Sequence, residues 1–206
     1  MSQVRVKICG LTRRQDVSAA VKSGADALGF VFVPRSSRCL SIEKAKTLVE
    51  SVPAFVSRVG LFQNQEASQI QQVLDQMALS MLQFHGDEEP DFCRQFGLPY
   101  IKAINLKSPD PIALAERRYP DAAGILVDSH ETGGLGGTGK TLNWTEIKAG
   151  QLPLILAGGL NPENISRAVR MVRPWAVDVS SGVELSPAIK DHDAIQKFIQ
   201  EAKREQ

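Results

Sequence analysis

Residues 124–144 read GILVDSHETGGLGGTGKTLNW, and two incompatible proteins can be read from them. The stretch opens as an apolar run from Gly124 to Val127, sets the carboxylate of Asp128 at its end, passes five glycines and reaches Lys140. Gly134, Gly139, Lys140 and Thr141 fit the G-x-x-x-x-G-K-[ST] loop with which nucleotide hydrolases cradle phosphates. Alternatively, Asp128 is an acid at the C-terminal end of a barrel strand, and the glycines form a mobile lid over it. The rest of the chain decides between them.

Outward from this stretch, short apolar runs alternate with amphipathic segments. Residues 4–9 (VRVKIC) read as a strand, and residues 13–23 as a helix with Val17, Ala20 and Val21 at helical spacing and Gly24 as its stop. Residues 27–33 (ALGFVFV) form a nearly unbroken apolar strand, and Ser41 caps a helix running to Val52. Further strands follow at 58–62, 81–84, 100–104, 125–127, 154–156 and 176–179. Helices are expected at 66–77, 88–96, 111–118, 144–148, 162–172 and 193–204. The helix at 162–172 is the clearest, with Asn161 as its cap, Pro162 in its first turn and an apolar stripe of Ile165, Ala168, Val169 and Val172. No linker breaks the alternation. Buried apolar strands alternating with helices indicate a parallel sheet covered on both faces. Eight units of roughly 25 residues each fit one closed (β/α)₈ TIM barrel spanning residues 1–206. Periodicity alone does not separate that barrel from an open doubly wound sheet.

Composition narrows the function classes. The chain has 206 residues, of which 43% are hydrophobic and 23% charged, ordinary values for a globular protein with a substantial core. Its 24 basic and 23 acidic residues leave a formal charge of +1, so nothing pulls it toward nucleic acid or an anionic membrane. Cys9, Cys39 and Cys93 are odd in number and far apart, which suggests neither a disulfide framework nor a zinc site. Cys39 and Cys93 are expected to pack as structural thiols. The opening MSQVRVKICG lacks the apolar core of a signal peptide, and no run approaches the ~18 apolar residues of a membrane span. A cytoplasmic protein, monomer or homodimer, is the expectation.

In such a barrel the site is built where strands end. The first strand ends at Cys9-Gly10, and the second leads into Pro34-Arg35-Ser36-Ser37-Arg38. The third delivers Gln63-Asn64, the fourth Gln83, His85 and Gly86, the sixth Asp128, the seventh Gly158-Gly159 and the eighth Ser180-Ser181-Gly182. The last two loops are the usual phosphate site of the fold, so a phosphorylated small molecule is expected there; the bland reading is a pair of ordinary turns. Cys9 is either a small buried hydrophobe or a thiolate stabilised by Lys7 or Arg38. A carboxylate after an apolar run, like Asp128, has few structural duties. Cys9 and Asp128 across one barrel mouth suit acid–base chemistry on opposite sides of a small substrate. His85 reads as a base or as a hydrogen-bonding wall residue; three histidines without metal-ligand spacing predict no metal site. Arg38 reads as a bidentate carboxylate clamp or as a solvated arginine.

With these residues in place, the chain resembles the phosphoribosylanthranilate isomerases. The resemblance rests on Lys7-Ile8-Cys9-Gly10, on Gly29-Phe30-Val31-Phe32 with the loop to Arg38, and on Gln83-Phe84-His85-Gly86. It continues through Val127-Asp128 with Gly136-Gly137-Thr138-Gly139-Lys140, Gly158-Gly159-Leu160, the run Val177-Asp178-Val179-Ser180-Ser181-Gly182-Val183-Glu184, and Lys190-Asp191. These motifs span almost the whole chain in order. Pro187-Ala188 departs from the Pro-Gly of many members, and the loop between Asp128 and Lys140 varies within the family.

The resemblance implies Amadori rearrangement of N-(5-phosphoribosyl)anthranilate. It implies Cys9 as general base, Asp128 as general acid and Arg38 near the anthranilate. His85, Gly158, Gly159, Asp178, Ser180, Ser181 and Gly182 would also bind substrate. No cofactor or metal is implied, because the iminium intermediate is its own electron sink. The required protonation states, Asp128 neutral and Cys9 ionised, reverse those of the free groups near neutral pH, so shifts in both are expected. Three other readings remain, the third being a related sugar isomerase acting on a different aglycone. A nucleotide hydrolase is disfavoured because Lys140-Thr141 runs into Leu142-Asn143-Trp144, a poor helix for holding phosphates. A non-enzymatic phosphosugar-binding barrel does not account for Cys9 and Asp128 together.

Overall fold

The computed structural model describes residues 3–106, 110–128 and 144–204. The glycine-rich stretch 129–143, with its nucleotide-loop match at 134–141 and its expected lid, lies outside them. Eight parallel strands close into a barrel in sequence order: β1 (Arg5–Cys9), β2 (Ala27–Val31), β3 (Ser57–Phe62), β4 (Met81–Phe84), β5 (Tyr100–Ile104), β6 (Gly124–Val127), β7 (Leu154–Leu156) and β8 (Ala176–Val179). Register pairs such as Lys7↔Ala27 and Lys7↔Asp178 join β1 to both neighbours and complete the closure. The open doubly wound alternative is thereby excluded. Among the described residues seven α-helices intervene or follow: α1 (Arg14–Lys22), α2 (Ile42–Glu50), α3 (Ala67–Gln76), α4 (Pro90–Arg94), α5 (Pro111–Arg118), α6 (Ile165–Val172) and α7 (His192–Arg204). None is long and apolar enough to cross a membrane.

Strand alternation divides the packing in two. Outward residues such as Ile8, Phe30, Phe62, Leu82 and Phe84 are fully buried beneath the helices. Phe84 alone stacks with or abuts Phe62, Phe92, Phe96 and Tyr100. Burying each such ring is worth about 2–3 kcal/mol. Inward residues Ile101, Ala103, Leu126, Ile155 and Ala157 fill the barrel itself. The same parity places Lys7 and Cys9, Gln83 and His85, and Asp178 and Ser180 on the inner side. Strand alternation, rather than proximity in sequence, assembles the site.

The helices start and stop for local reasons. The hydroxyl of Ser41 accepts from the Lys44 N–H at 3.3 Å, as expected for an N-cap. The regular part of α6 begins three residues later than the reading from Pro162. Asn161 still caps the turn before it: its Oδ1 accepts from the N–H groups of Glu163 and Asn164, both at 3.0 Å, and its carbonyl accepts from Ile165 at 3.1 Å. The helix expected at 88–96 shortens to α4 because Glu88 is taken up in a buried network. Its carboxylate accepts from the Asn64 and Gly86 N–H groups and pairs with Lys102, tying the ends of β3, β4 and β5 together. The expected 144–148 helix is a single 3₁₀ turn, Trp144–Glu146. Cys93 is buried as expected, whereas Cys39 is exposed, because it sits in the loop after β2 rather than beneath a helix.

One element is absent from the sequence reading. After β8 and a 3₁₀ turn at Ser181–Val183, the chain makes a small antiparallel hairpin, β9 (Glu184–Ser186) and β10 (Ile189–Lys190). Its turn holds Ala188 at φ 67°, in the left-handed region. This is the position where the resembling family favours Pro-Gly. A β-carbon there costs about 1 kcal/mol. Ala188→Gly is therefore expected to raise stability in urea unfolding by less than that, about 0.5 kcal/mol, because glycine's extra freedom in the unfolded chain takes back part of the gain. A loss of stability would show that the turn is not strained.

Candidate active site

The C-terminal ends of the strands surround a cavity of about 540 Å³, a size suited to a small molecule. Cys9, Arg38, Gln63, Gln83, His85, Asp128, Gly158, Gly159, Asp178, Ser180, Ser181 and Gly182 all line it. Every residue expected to act on or bind substrate thus reaches one cavity, whereas Gly10, Pro34, Asn64 and Gly86 of the strand-end set do not line it. Lys7 lies immediately below.

At the end of β1, Cys9 is 5% exposed. Lys7, two residues earlier on the same face, donates to Asp178 Oδ2 at 2.9 Å, and both partners are buried. Burial pushes the Cys9 thiol up, Lys7 pulls it down, and Asp178 pushes it up again; the net direction is upward. This reverses the expected shift. A buried thiolate is penalised more than Lys7 repays, because Asp178 already claims the lysine. For Lys7, burial is outweighed by Asp178 and Cys9, and the ammonium is held above its ordinary range.

Asp128, just beyond β6, places Oδ2 3.6 Å from His85 Nε2. Burial pulls His85 below its ordinary range despite the neighbouring Asp128. The imidazole is therefore neutral near pH 7. Gln83 Nε2 approaches His85 Nδ1 at 3.2 Å; with the amide donating, the lone pair lies on Nδ1 and the ring N–H on Nε2, facing Asp128. Two buried acceptors in the cavity wall, Gln83 Oε1 and Asp178 Oδ1, have no hydrogen-bond partner among the described residues. Gln83 was visible as a strand-end residue, and Lys7 as a possible charge near Cys9. Their pairings with His85 and Asp178 follow from the two-residue period of a strand.

On the opposite rim, Gly158 (φ 84°) and Gly159 (φ 66°) turn the chain sharply after β7. Both conformations favour glycine, because a Cβ would crowd the following carbonyl. Their backbone N–H groups bond to no backbone carbonyl among the described residues. The Asn164 amide donates to the Gly159 carbonyl at 2.9 Å and fixes the turn. Ser180, Ser181 and Gly182 follow β8 alongside. These amides, unpaired among the described residues, and two hydroxyls on adjacent loops are donors chemically suited to an anion.

Arg38 is not solvated. It forms a bidentate pair with Glu184, from Nε to Oε1 at 2.8 Å and from Nη2 to Oε2 at 2.6 Å. Glu184 occurs in the sequence motifs without a role of its own.

The family model for N-(5'-phosphoribosyl)anthranilate (PRA) isomerase matches residues 6–201. The chain belongs to the phosphoribosylanthranilate isomerase family. The N-(5'-phosphoribosyl)anthranilate isomerase of Pseudomonas fluorescens (strain Pf0-1) is 50% identical over 200 residues, covering 97% of this chain and 98% of the relative. The crystal structure of the Thermotoga maritima phosphoribosylanthranilate isomerase superposes with a TM-score of 0.87 at 41% identity, covering 98% of this chain and 99% of that one. A family structure solved with reduced 1-(o-carboxyphenylamino)-1-deoxyribulose 5-phosphate superposes at 0.83 with 40% identity over the same shares. Family membership removes the nucleotide-hydrolase and non-enzymatic readings.

Proposed function

We propose that the chain converts N-(5-phosphoribosyl)anthranilate to 1-(o-carboxyphenylamino)-1-deoxyribulose 5-phosphate in tryptophan biosynthesis, with Cys9 as general base and Asp128 as general acid. The observation that carries this reading is the gathering of a thiol, a carboxylate and an anion-binding rim in one cavity at the C-terminal mouth of the barrel. The phosphate is assigned to Gly158, Gly159, Ser180, Ser181 and Gly182, and the anthranilate carboxylate to Arg38.

The first step needs a proton on the furanose ring oxygen. Protonated Asp128 gives it, the bond from C1 to that oxygen breaks, and the anthranilate nitrogen lone pair forms a C1=N iminium. The neutral His85 N–H steadies the carboxylate left behind; a charged imidazolium there would favour an ionised Asp128 too early. Cys9 then removes the C2 proton. The C–H electron pair forms C1=C2, the iminium π pair returns to nitrogen, and an enolamine results. Proton return to C1 with loss of the C2 hydroxyl proton gives the ketone. The charge that Lys7 fails to supply comes from the iminium itself: a cation beside the thiol favours the thiolate when it is needed. A reducing cytoplasm suits this chemistry, and Cys9, Cys39 and Cys93 are all free.

Anthranilate fluorescence reports the reaction. Freshly prepared phosphoribosylanthranilate is expected to lose fluorescence at a rate proportional to enzyme concentration. The counterpart carrying an aminoimidazole carboxamide is expected to turn over far more slowly. The reverse preference would assign the chain to a different aglycone.

A further inference from the structure

We propose that Glu184 is a positioning residue that locks Arg38 with its end-on edge toward the substrate's aglycone carboxylate, while Lys190 preserves the positive charge needed there. This rests on the reading of Arg38 given above. Arginine has five N–H donors in two usable edges. Glu184 occupies the side edge, Nε and Nη2, at 2.8 and 2.6 Å. Nη1 donates to no described residue, so the end edge remains for a ligand. A guanidinium clamped in this way presents a fixed fork instead of a mobile charge.

An arginine neutralised by a glutamate would be a poor anion site. Lys190 corrects this. It is fully buried and donates to Glu184 Oε1 at 2.8 Å; burial pulls the ammonium below its ordinary range while Glu184 holds it up, and with Lys190 protonated the trio of Arg38, Glu184 and Lys190 carries one net positive charge. Burial pushes the Glu184 carboxyl up, yet Arg38 and Lys190 outweigh it and hold it below its ordinary range. Lys190 also donates to the Ser180 carbonyl at 2.9 Å. The hairpin thereby links the clamp to the proposed phosphate rim and sets the distance between the two ends of the substrate. The stem of Arg38 is fixed as well: a Cβ on Gly10 would lie 2.3 Å from Arg38 Cδ, so the stem crosses directly over the residue after Cys9.

The test compares kcat/KM for phosphoribosylanthranilate with that for the phosphoribosylaniline counterpart, which lacks the carboxylate, following product by chromatography. The wild type should prefer the carboxylated substrate. Glu184→Gln should shrink that preference by about ten- to a hundredfold, mainly through KM. Arg38→Ala should shrink it similarly, and the double variant should lose little more. Because Glu184→Gln leaves Lys190 buried without its partner, Glu184→Gln/Lys190→Met serves as the folding control and should show the same reduced preference. An unchanged preference in the folded Glu184 variants, with Arg38→Ala still reduced, overturns the role of Glu184 alone. An unchanged preference in Arg38→Ala overturns the carboxylate assignment and this proposal with it.

Discussion

Cys9→Ser is expected to lower kcat at least about a thousandfold, or some 4 kcal/mol in barrier, while leaving the melting temperature close to that of the wild type. Serine reproduces the shape of the thiol in a site that is 5% exposed, so little packing is lost. A hydroxyl, however, is far harder to ionise than a thiol, and the pull of Lys7, already outweighed at the thiol, does not make up that difference. The pH dependence carries the same signature. A base works deprotonated, so kcat/KM should climb with pH through the ionisation of Cys9. Burial pushes that group up, which places the climb above the ordinary thiol range of about 8.5 in the free enzyme. Lys7 pulls the thiol down and Asp178 pushes it up. Lys7→Met should therefore move the climb to higher pH and Asp178→Asn to lower pH. A pH profile of kcat/KM that ignores both substitutions would separate Cys9 from the rate.

The second large effect is expected at Asp128. Asparagine keeps the outline of the side chain and its approach to His85 but holds no transferable proton. Ring opening then loses its acid. Steady-state kinetics of Asp128→Asn should show kcat down at least about a thousandfold with KM changed much less, because the proton is delivered only in the transition state. A variant with raised KM and near-normal kcat would make Asp128 a binding group.

Much of this was legible in the chain. Apolar runs such as 27–33 and 154–156, each followed by a helix, announce buried parallel strands, and eight of them close a barrel. Since such barrels place their sites where strands end, Cys9, His85, Asp128 and Ser180 could be picked out without coordinates. Other features could not. Glu184 and Arg38 are 146 residues apart, and their pairing depends on a hairpin whose strands have three and two residues, too short for any alternation to register. The direction of the Cys9 shift is a balance between burial and a lysine already claimed by Asp178, a competition between strands β1 and β8. Cys39 illustrates the opposite error: it was expected to pack as a structural thiol, but it lies in the loop after β2 and is exposed.

Removal of the C2 proton of phosphoribosylanthranilate by Cys9 is tested by the decay of anthranilate fluorescence with wild type and Cys9→Ala at equal concentration, both shown to be folded by thermal melting. Enzyme-dependent decay is expected with the wild type, and a rate at least about a thousandfold lower with the variant. Decay at a near wild-type rate in folded Cys9→Ala would contradict that role.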